Sequence, residues 1–256
     1  MDDTNTIWVS TAPRTGSMWV FNVTREIFRI TGQQVEPEDM PRQDRDRISL
    51  AKQVAVHSTD PRKTWVLKVH LIMPPNFPRS KVITTHRDPR DVCVSFKEFM
   101  KASFERSLQA AKNMTGYADA YSSYAPDYLL SLPYEAIEAK PEQAVLQIAG
   151  FVGAKLEEQD ARQVADKFSR NNVARLVEKT DADVKARLRD KVPVDPRDIV
   201  RLSATNFRAR DRQTGFQTGH VSRRKTGDWA KVLTVSQQDI LANEFGDWLQ
   251  KYGYAP

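Results

Sequence analysis

The chain has 256 residues, 40% hydrophobic and 28% charged, with a net charge of +6 and a pI of ≈ 9.4. That length suits one α/β domain with a full core, and no apolar run approaches the ~18 residues of a membrane span. Residues 1–6 lack the basic and apolar stretches of a secretory signal, and the lone Cys93 excludes an internal disulfide, so a reducing cytoplasm is the expected location.

Residues 6–12 read as a buried strand, with Ile7, Trp8 and Val9 running into a Pro-Arg-Thr-Gly turn. Residues 18–30 carry Trp19, Val20, Val23, Ile27 and Ile30 at helical spacing, and Gly32 suits the stop. A strand–loop–helix opening predicts an α/β fold: a single domain, residues 1–256, with a central parallel sheet flanked by helices. Residues 36–60 are polar and predict irregular or weakly helical chain. Short β-rich runs follow at 64–71 and 81–86. Asp88-Pro89 reads as an N-cap with proline at N1, opening a helix through Phe96 and Phe99 and on past Leu108. A strand is predicted at 128–133, a helix closed by Gly153 at 141–151, and an amphipathic terminal helix at 236–252. From 179 to 218 charge is dense, Pro193 and Pro196 intervene, and periodicity is weak. Such a stretch reads as a lid or an acceptor-binding excursion.

Three segments carry chemistry. Pro13-Arg14-Thr15-Gly16-Ser17-Met18-Trp19 joins the first strand to the first helix. Backbone N–H groups converge there at the positive end of a helix dipole, and Gly16 permits the wrap around an anion. Thr15 and Ser17 add hydroxyls and Arg14 a permanent charge. The Walker A spacing is absent. In Lys68-Val69-His70, positions i and i+2 share one face at the end of a predicted strand. A histidine in that crevice can take a proton near neutral pH, and the lysine can hold an anion. In the run Arg87-Asp88-Pro89-Arg90-Asp91-Val92-Cys93-Val94-Ser95-Phe96, Arg87 and Ser95 lie on one helix side and can grip a second phosphate. His57, His86 and His220 have no partners at metal-ligand spacing, so no metal is expected.

In this order the segments resemble sulfotransferases that use 3′-phosphoadenosine 5′-phosphosulfate (PAPS). The family's phosphosulfate loop, Pro-Lys-Ser-Gly-Thr-Thr-Trp, is similar to residues 13–19, and its Lys-Thr-His-Leu-Pro segment to residues 68–71. Its Arg-Asn-Pro-Lys-Asp-Val-x-Val-Ser-Tyr segment matches residues 87–96, its Tyr-Glu pair Tyr134-Glu135, and its Arg-Lys-Gly-x-x-Gly-Asp-Trp segment residues 222–229. The resemblance implies a P-loop-like site holding PAPS, and the product 3′-phosphoadenosine 5′-phosphate (PAP), on Arg14, Thr15, Gly16, Ser17, Met18, Trp19, Arg87, Ser95, Tyr134 and Arg223 or Arg224. It also implies His70 as catalytic base, with Lys68 and Arg14 stabilising charge.

The chain departs from the pattern in three places. Arg14 stands where many members have lysine, as arginine does in tyrosylprotein and several carbohydrate sulfotransferases. Arg223 and Arg224 replace the family's lysine and glycine before Gly227-Asp228-Trp229, and Phe168-Ser169 is a loose counterpart of its adenine-side Ser-Phe. The expected partner is a small-molecule acceptor, chosen by loops at 32–64, 99–124 and 179–218 with Phe104, Tyr117 and Phe207. Neither nucleic acid nor membrane is expected as a partner. The alternatives are a P-loop-type phosphotransferase and a nucleic-acid module built on the basic run 208–224.

Overall fold

Strand β1 (Thr6–Ser10) is buried at all five positions, as a strand covered on both faces must be. Its side chains alternate: Ile7 and Val9 enter one core cluster and Trp8 another. The computed structural model describes residues 5–39, 41, 43–57, 60, 62–75, 77–203, 206–222 and 224–255. Around β1 lie β2 (Gln34–Glu36), β3 (Lys63–Val69), β4 (Ser80–His86) and β5 (Leu129–Pro133), in the order β2-β3-β1-β4-β5 and all parallel. β1 pairs with β3 on one side and β4 on the other, so the connections diverge at its carboxyl end. That divergence opens a crevice, the usual ligand position in such sheets.

Helices α1 (Ser17–Ile30), α6 (Pro141–Phe151) and α7 (Glu158–Lys167) cover one face through Val20, Val23, Ile27, Val145, Ile148 and Val164. On the other face, α2 (Asp44–His57) and α4 (Phe104–Tyr121) bring Ala51 and Tyr121 against Trp8, Leu67 and Val82. A third cluster joins α3 (Pro89–Met100), α4 and α10 (Val235–Lys251) through Val92, Met114, Leu241 and Phe245. Short helices α5 (Tyr134–Ala139) and α9 (Trp229–Val232) and the long α8 (Arg170–Arg189) complete the set. Among the described residues no helix is long and apolar enough to cross a membrane.

The helix expected to pass Leu108 breaks instead. Lys101 adopts a left-handed conformation (φ 50) and Ser103 caps a new helix, accepting from Arg106 N at 3.4 Å. Within 36–60, expected to be irregular or weakly helical, the described residues hold the end of β2 and the whole of α2. The described residues of the stretch from 179 to 218 are built as well. This stretch continues α8, whose buried Val173, Val177 and Val184 are spaced widely among charges. After a 3₁₀ turn at Pro196–Asp198 it forms a hairpin, β6 (Ile199–Arg201) with β7 (Phe207–Ala209), prolonged by an Arg210–Gln217 bridge.

Candidate active site

The chain leaves β1 and turns through Arg14 (φ 72) and Gly16 (φ 90), both left-handed. Gly16 caps α1 without a side-chain bond, so the N–H groups of Ser17 and Met18 open the helix with no intrahelical acceptor. They form the floor of an anion cradle at the helix's positive end. Thr15 sits differently from the hydroxyl donor read in the sequence. It is fully buried, donates to the Ala12 carbonyl at 2.8 Å and meets the Thr85 hydroxyl at 2.7 Å, so its side chain pins the loop to β4. Ser17 supplies the hydroxyl that lines the cavity. A Cβ on Gly16 would lie 2.9 Å from Tyr134 Cδ2, at a φ that L residues avoid. Gly16→Ala is therefore expected to destabilise the fold by roughly 1–3 kcal/mol, seen as a lowered midpoint in thermal unfolding.

Lys68 and His70 are side by side, with Lys68 Nζ 2.9 Å from His70 Nε2. His70 Nδ1 is 2.7 Å from the Thr11 carbonyl, which only accepts, so the ring proton sits on Nδ1 and Nε2 keeps its lone pair. Neighbouring helices lock this strand end. Asp44 on α2 accepts the His70 N–H at 2.9 Å, and Arg47 donates to the Lys68 carbonyl at 2.6 Å while paired with Asp44 at 2.6 Å. Tyr117 on α4 donates its hydroxyl to the His70 carbonyl. Burial, then the Arg47 charge, pushes the Lys68 ammonium down to about 7. Burial, then the Lys68 charge, pushes His70 down to about 4. The lysine holds the shared proton and the imidazole stands neutral, as a base must.

Arg14 reaches from the cradle to α3, donating from Nε to Ser95 Oγ at 2.9 Å with its guanidinium 4.3 Å from the Phe99 ring centroid. Burial, then Arg87, lowers its pKa to about 10, and it remains charged. Arg87 lies over the Tyr134 ring at 4.1 Å, donates weakly to the Arg14 carbonyl at 3.4 Å and stands 3.8 Å from Asp91. Its buried Nε has no partner among the described residues. Tyr134 opens α5 and gives its hydroxyl to Glu138 at 2.8 Å. Asp91 accepts the Gly227 N–H at 2.8 Å, drawing the Gly227-Asp228-Trp229 segment onto α3. Arg224 lines the cavity, with its side chain paired to Glu98 and its carbonyl bound by Arg170 at 2.7 Å. Arg223 lies outside the described residues.

Arg14, Gly16, Ser17, Met18, Lys68, His70, Arg87, Ser95, Tyr134 and Arg224 line a cavity of ≈ 1080 Å³ that also takes in Trp19, Phe168 and Ser169. Among the described residues nine basic side chains line it against one carboxylate, Glu138, so its interior favours polyanions. Several lining residues carry no motif signal: Arg47 from α2, Arg170 opening α8, Arg210 after β7, and His220. The Gln217 N–H bonds His220 Nδ1 at 3.1 Å, placing the neutral ring's proton on Nε2, and the ring lies 5.1 Å from Phe99. Burial, then Arg14, pushes its pKa down to about 3. Phe104 and Tyr117, read as acceptor contacts, pack instead in the α3–α4–α10 cluster. Phe207 is not among the cavity's described lining residues. Among the described residues, no three His, Cys, Asp or Glu side chains gather as a metal site.

A glycine-turn anion cradle at the divergence of a parallel sheet, facing a neutral histidine, defines an α/β group-transfer enzyme of P-loop-like architecture. The sulfotransferase domain model matches residues 4–180, and the chain belongs to the sulfotransferase family. No curated protein matches the chain in sequence. The structure is similar to retinol dehydratase in complex with androsterone and inactive cofactor PAP, at 17% identity and TM-score 0.59, over 96% of this chain and 80% of that one. It is also similar to a mouse sulfotransferase complexed with PAP, at 16% identity and TM-score 0.61, over 97% and 87%. At these identities the likeness is one of fold.

Proposed function

We propose that the protein transfers a sulfuryl group from PAPS to a hydroxyl or amine of a small-molecule acceptor, releasing PAP, and that it works in the cytoplasm. One observation carries the reading: a histidine whose tautomer is set by Thr11 lines the same cavity as the Gly16 cradle, with Lys68 beside it. The residues suit a donor with phosphates at both ends. The unpartnered Arg87 Nε and the first-turn amides of α1 are donors awaiting anions, and the nine-to-one excess of basic side chains matches a polyanion.

When bound, PAPS supplies a sulfuryl group with PAP as its leaving group. His70 Nε2 takes the acceptor's proton as attack proceeds, and Nδ1 stays clamped to Thr11. Lys68 Nζ turns from His70 to the oxygens of the group in transfer. Arg14 and the amides of Ser17 and Met18 stabilise charge growing on the leaving phosphate, more in the transition state than before it. Arginine does not release a proton, so Arg14 acts as a clamp. Arg87, Ser95 and Arg223 or Arg224 hold the 3′-phosphate and with it the donor's register.

Calorimetric titration tests the donor. PAP is expected to bind in the micromolar range or tighter, and ADP and ATP much more weakly at the same salt, because neither carries a 3′-phosphate. Equal affinities would instead favour a nucleotide-dependent phosphotransferase.

A further inference from the structure

Two histidines are among the described residues that line the cavity, and the transfer scheme above uses only His70. His220 comes from the segment after the β6–β7 hairpin, and that segment rests on the first turns of α1. Asn22 Nδ2 donates to the Met18 carbonyl at 2.7 Å and to the Thr214 carbonyl at 2.9 Å. A Cβ on Gly215 would stand 2.9 Å from Met18 Cε, so the chain there lies directly against the cradle. The His220 carbonyl meets Arg14 Nη2 at 3.5 Å. Both side chains also face the Phe99 ring, the Arg14 guanidinium 4.3 Å and the imidazole 5.1 Å from its centroid. After burial, the charges of Arg14 and Lys68 depress the pKa of His220 most, so the ring stands within reach of both cradle and reacting pair.

The two rings are held in opposite tautomers. His70 gives its Nδ1 proton to the Thr11 carbonyl and keeps a lone pair on Nε2. His220 does the reverse: its Nδ1 accepts the Gln217 N–H, which puts the proton of the neutral ring on Nε2. The His220 N–H returns to the Gln217 carbonyl at 3.0 Å, and Phe216 meets the ring edge to face at 6.1 Å. These contacts fix the plane of the ring, and among the described residues Nε2–H has no hydrogen-bond acceptor. With its pKa pushed down to about 3, the ring keeps that one donor at every ordinary pH. Packing between Phe99 and Phe216 would be served equally by a phenyl ring, and only the two ring nitrogens call for histidine. A donor fixed in place before reaction stabilises a growing oxyanion without the reorganisation that water would need.

We infer that His220 is a further catalytic residue, whose Nε2–H donates a hydrogen bond to an oxygen of the phosphate that the sulfuryl group leaves. This rests on the sulfuryl-transfer reading above. The proton stays on Nε2 throughout. The acceptor's proton goes to His70, the S–O bond breaks, and its electron pair settles on the leaving phosphate. Calorimetry compares PAP, which carries that phosphate, with adenosine 3′-phosphate, which lacks it. His220→Phe keeps a flat ring between Phe99 and Phe216. It is expected to weaken PAP binding about tenfold, equivalent to about 1.4 kcal/mol, and to leave adenosine 3′-phosphate unchanged. Turnover, kcat, should fall by at least the same factor, and His220→Gln, which restores a side-chain N–H, should recover part of both losses. Equal weakening of the two ligands, or of neither, overturns the inference. The contact is also read without turnover, in protein labelled in its imidazole rings. The His220 N–H NMR signal should move downfield on saturation with PAP, and a signal that stays in place overturns the inference. Inorganic sulfate gives the same reading without a nucleotide. Failure of PAP to bind therefore strikes the donor assignment, whereas a His220 signal indifferent to sulfate strikes the role of His220.

Discussion

Replacing His70 by alanine is expected to lower turnover by about 10²-fold or more while leaving PAP affinity intact. The two effects separate because, among the described residues, the imidazole bonds only to Lys68 and Thr11. The proposed phosphate grips, on the cradle and α3, do not depend on it. The pH dependence carries the same signature. His70 acts only when neutral, and in the free protein burial and Lys68 push it down to about 4, so the base is lost only below that pH. Lys68 helps only when protonated, and burial and Arg47 push it down to about 7, so its charge is lost above that pH. The profile of kcat/KM for the donor should therefore rise through about pH 4 and fall above about 7. At saturating donor both limbs should move upward, because bound phosphates favour the protonated forms of both side chains. His70→Ala should erase the acid limb, and near-normal turnover in that variant would place the base elsewhere in the cavity.

The residues that were legible in sequence share one property: their chemistry is local. A glycine turn between an apolar strand and an amphipathic helix, a lysine and histidine two apart at a strand end, and an Asp-Pro cap after an arginine are each set within ten residues of chain. The fold supplied what short range cannot. Asp44 and Arg47 lie on a helix that opens on four consecutive charged residues, 44–47, which hides the apolar Ile48, Leu50 and Ala51 that follow, yet they lock the Lys68–His70 strand end. Arg210 and His220 approach the site through a hairpin whose turn is held by Asp211, which accepts from the Thr214 N–H at 2.8 Å and its hydroxyl at 2.6 Å. That turn is tied to α1 by Asn22 Nδ2, which donates to the Thr214 carbonyl at 2.9 Å, a contact 192 residues apart in sequence. Phe104 and Tyr117 were misplaced because an aromatic on an amphipathic helix serves a core as readily as a ligand, and only packing distinguishes the two.

Arg87→Ala should weaken PAP binding by about 30-fold or more, the equivalent of about 2 kcal/mol for one lost charge-assisted grip. The informative comparison is with AMP, which is PAP without its 3′-phosphate. In the parent protein PAP should bind far more tightly than AMP, and in Arg87→Ala that gap should collapse with AMP affinity little changed. Arg87→Lys should recover only part of the gap, since a point charge cannot reproduce the planar fork or its stacking on Tyr134. The ligand difference also guards against a structural explanation. Removing Arg87 takes a cation from beside Asp91, but Asp91 still receives the Gly227 N–H, and a general loosening of α3 would weaken both nucleotides together. A gap that survives in Arg87→Ala would move the 3′-phosphate grip to Arg224 or Arg223. The unpartnered Nε of Arg87 would then need another anion to explain why a buried donor is left without an acceptor.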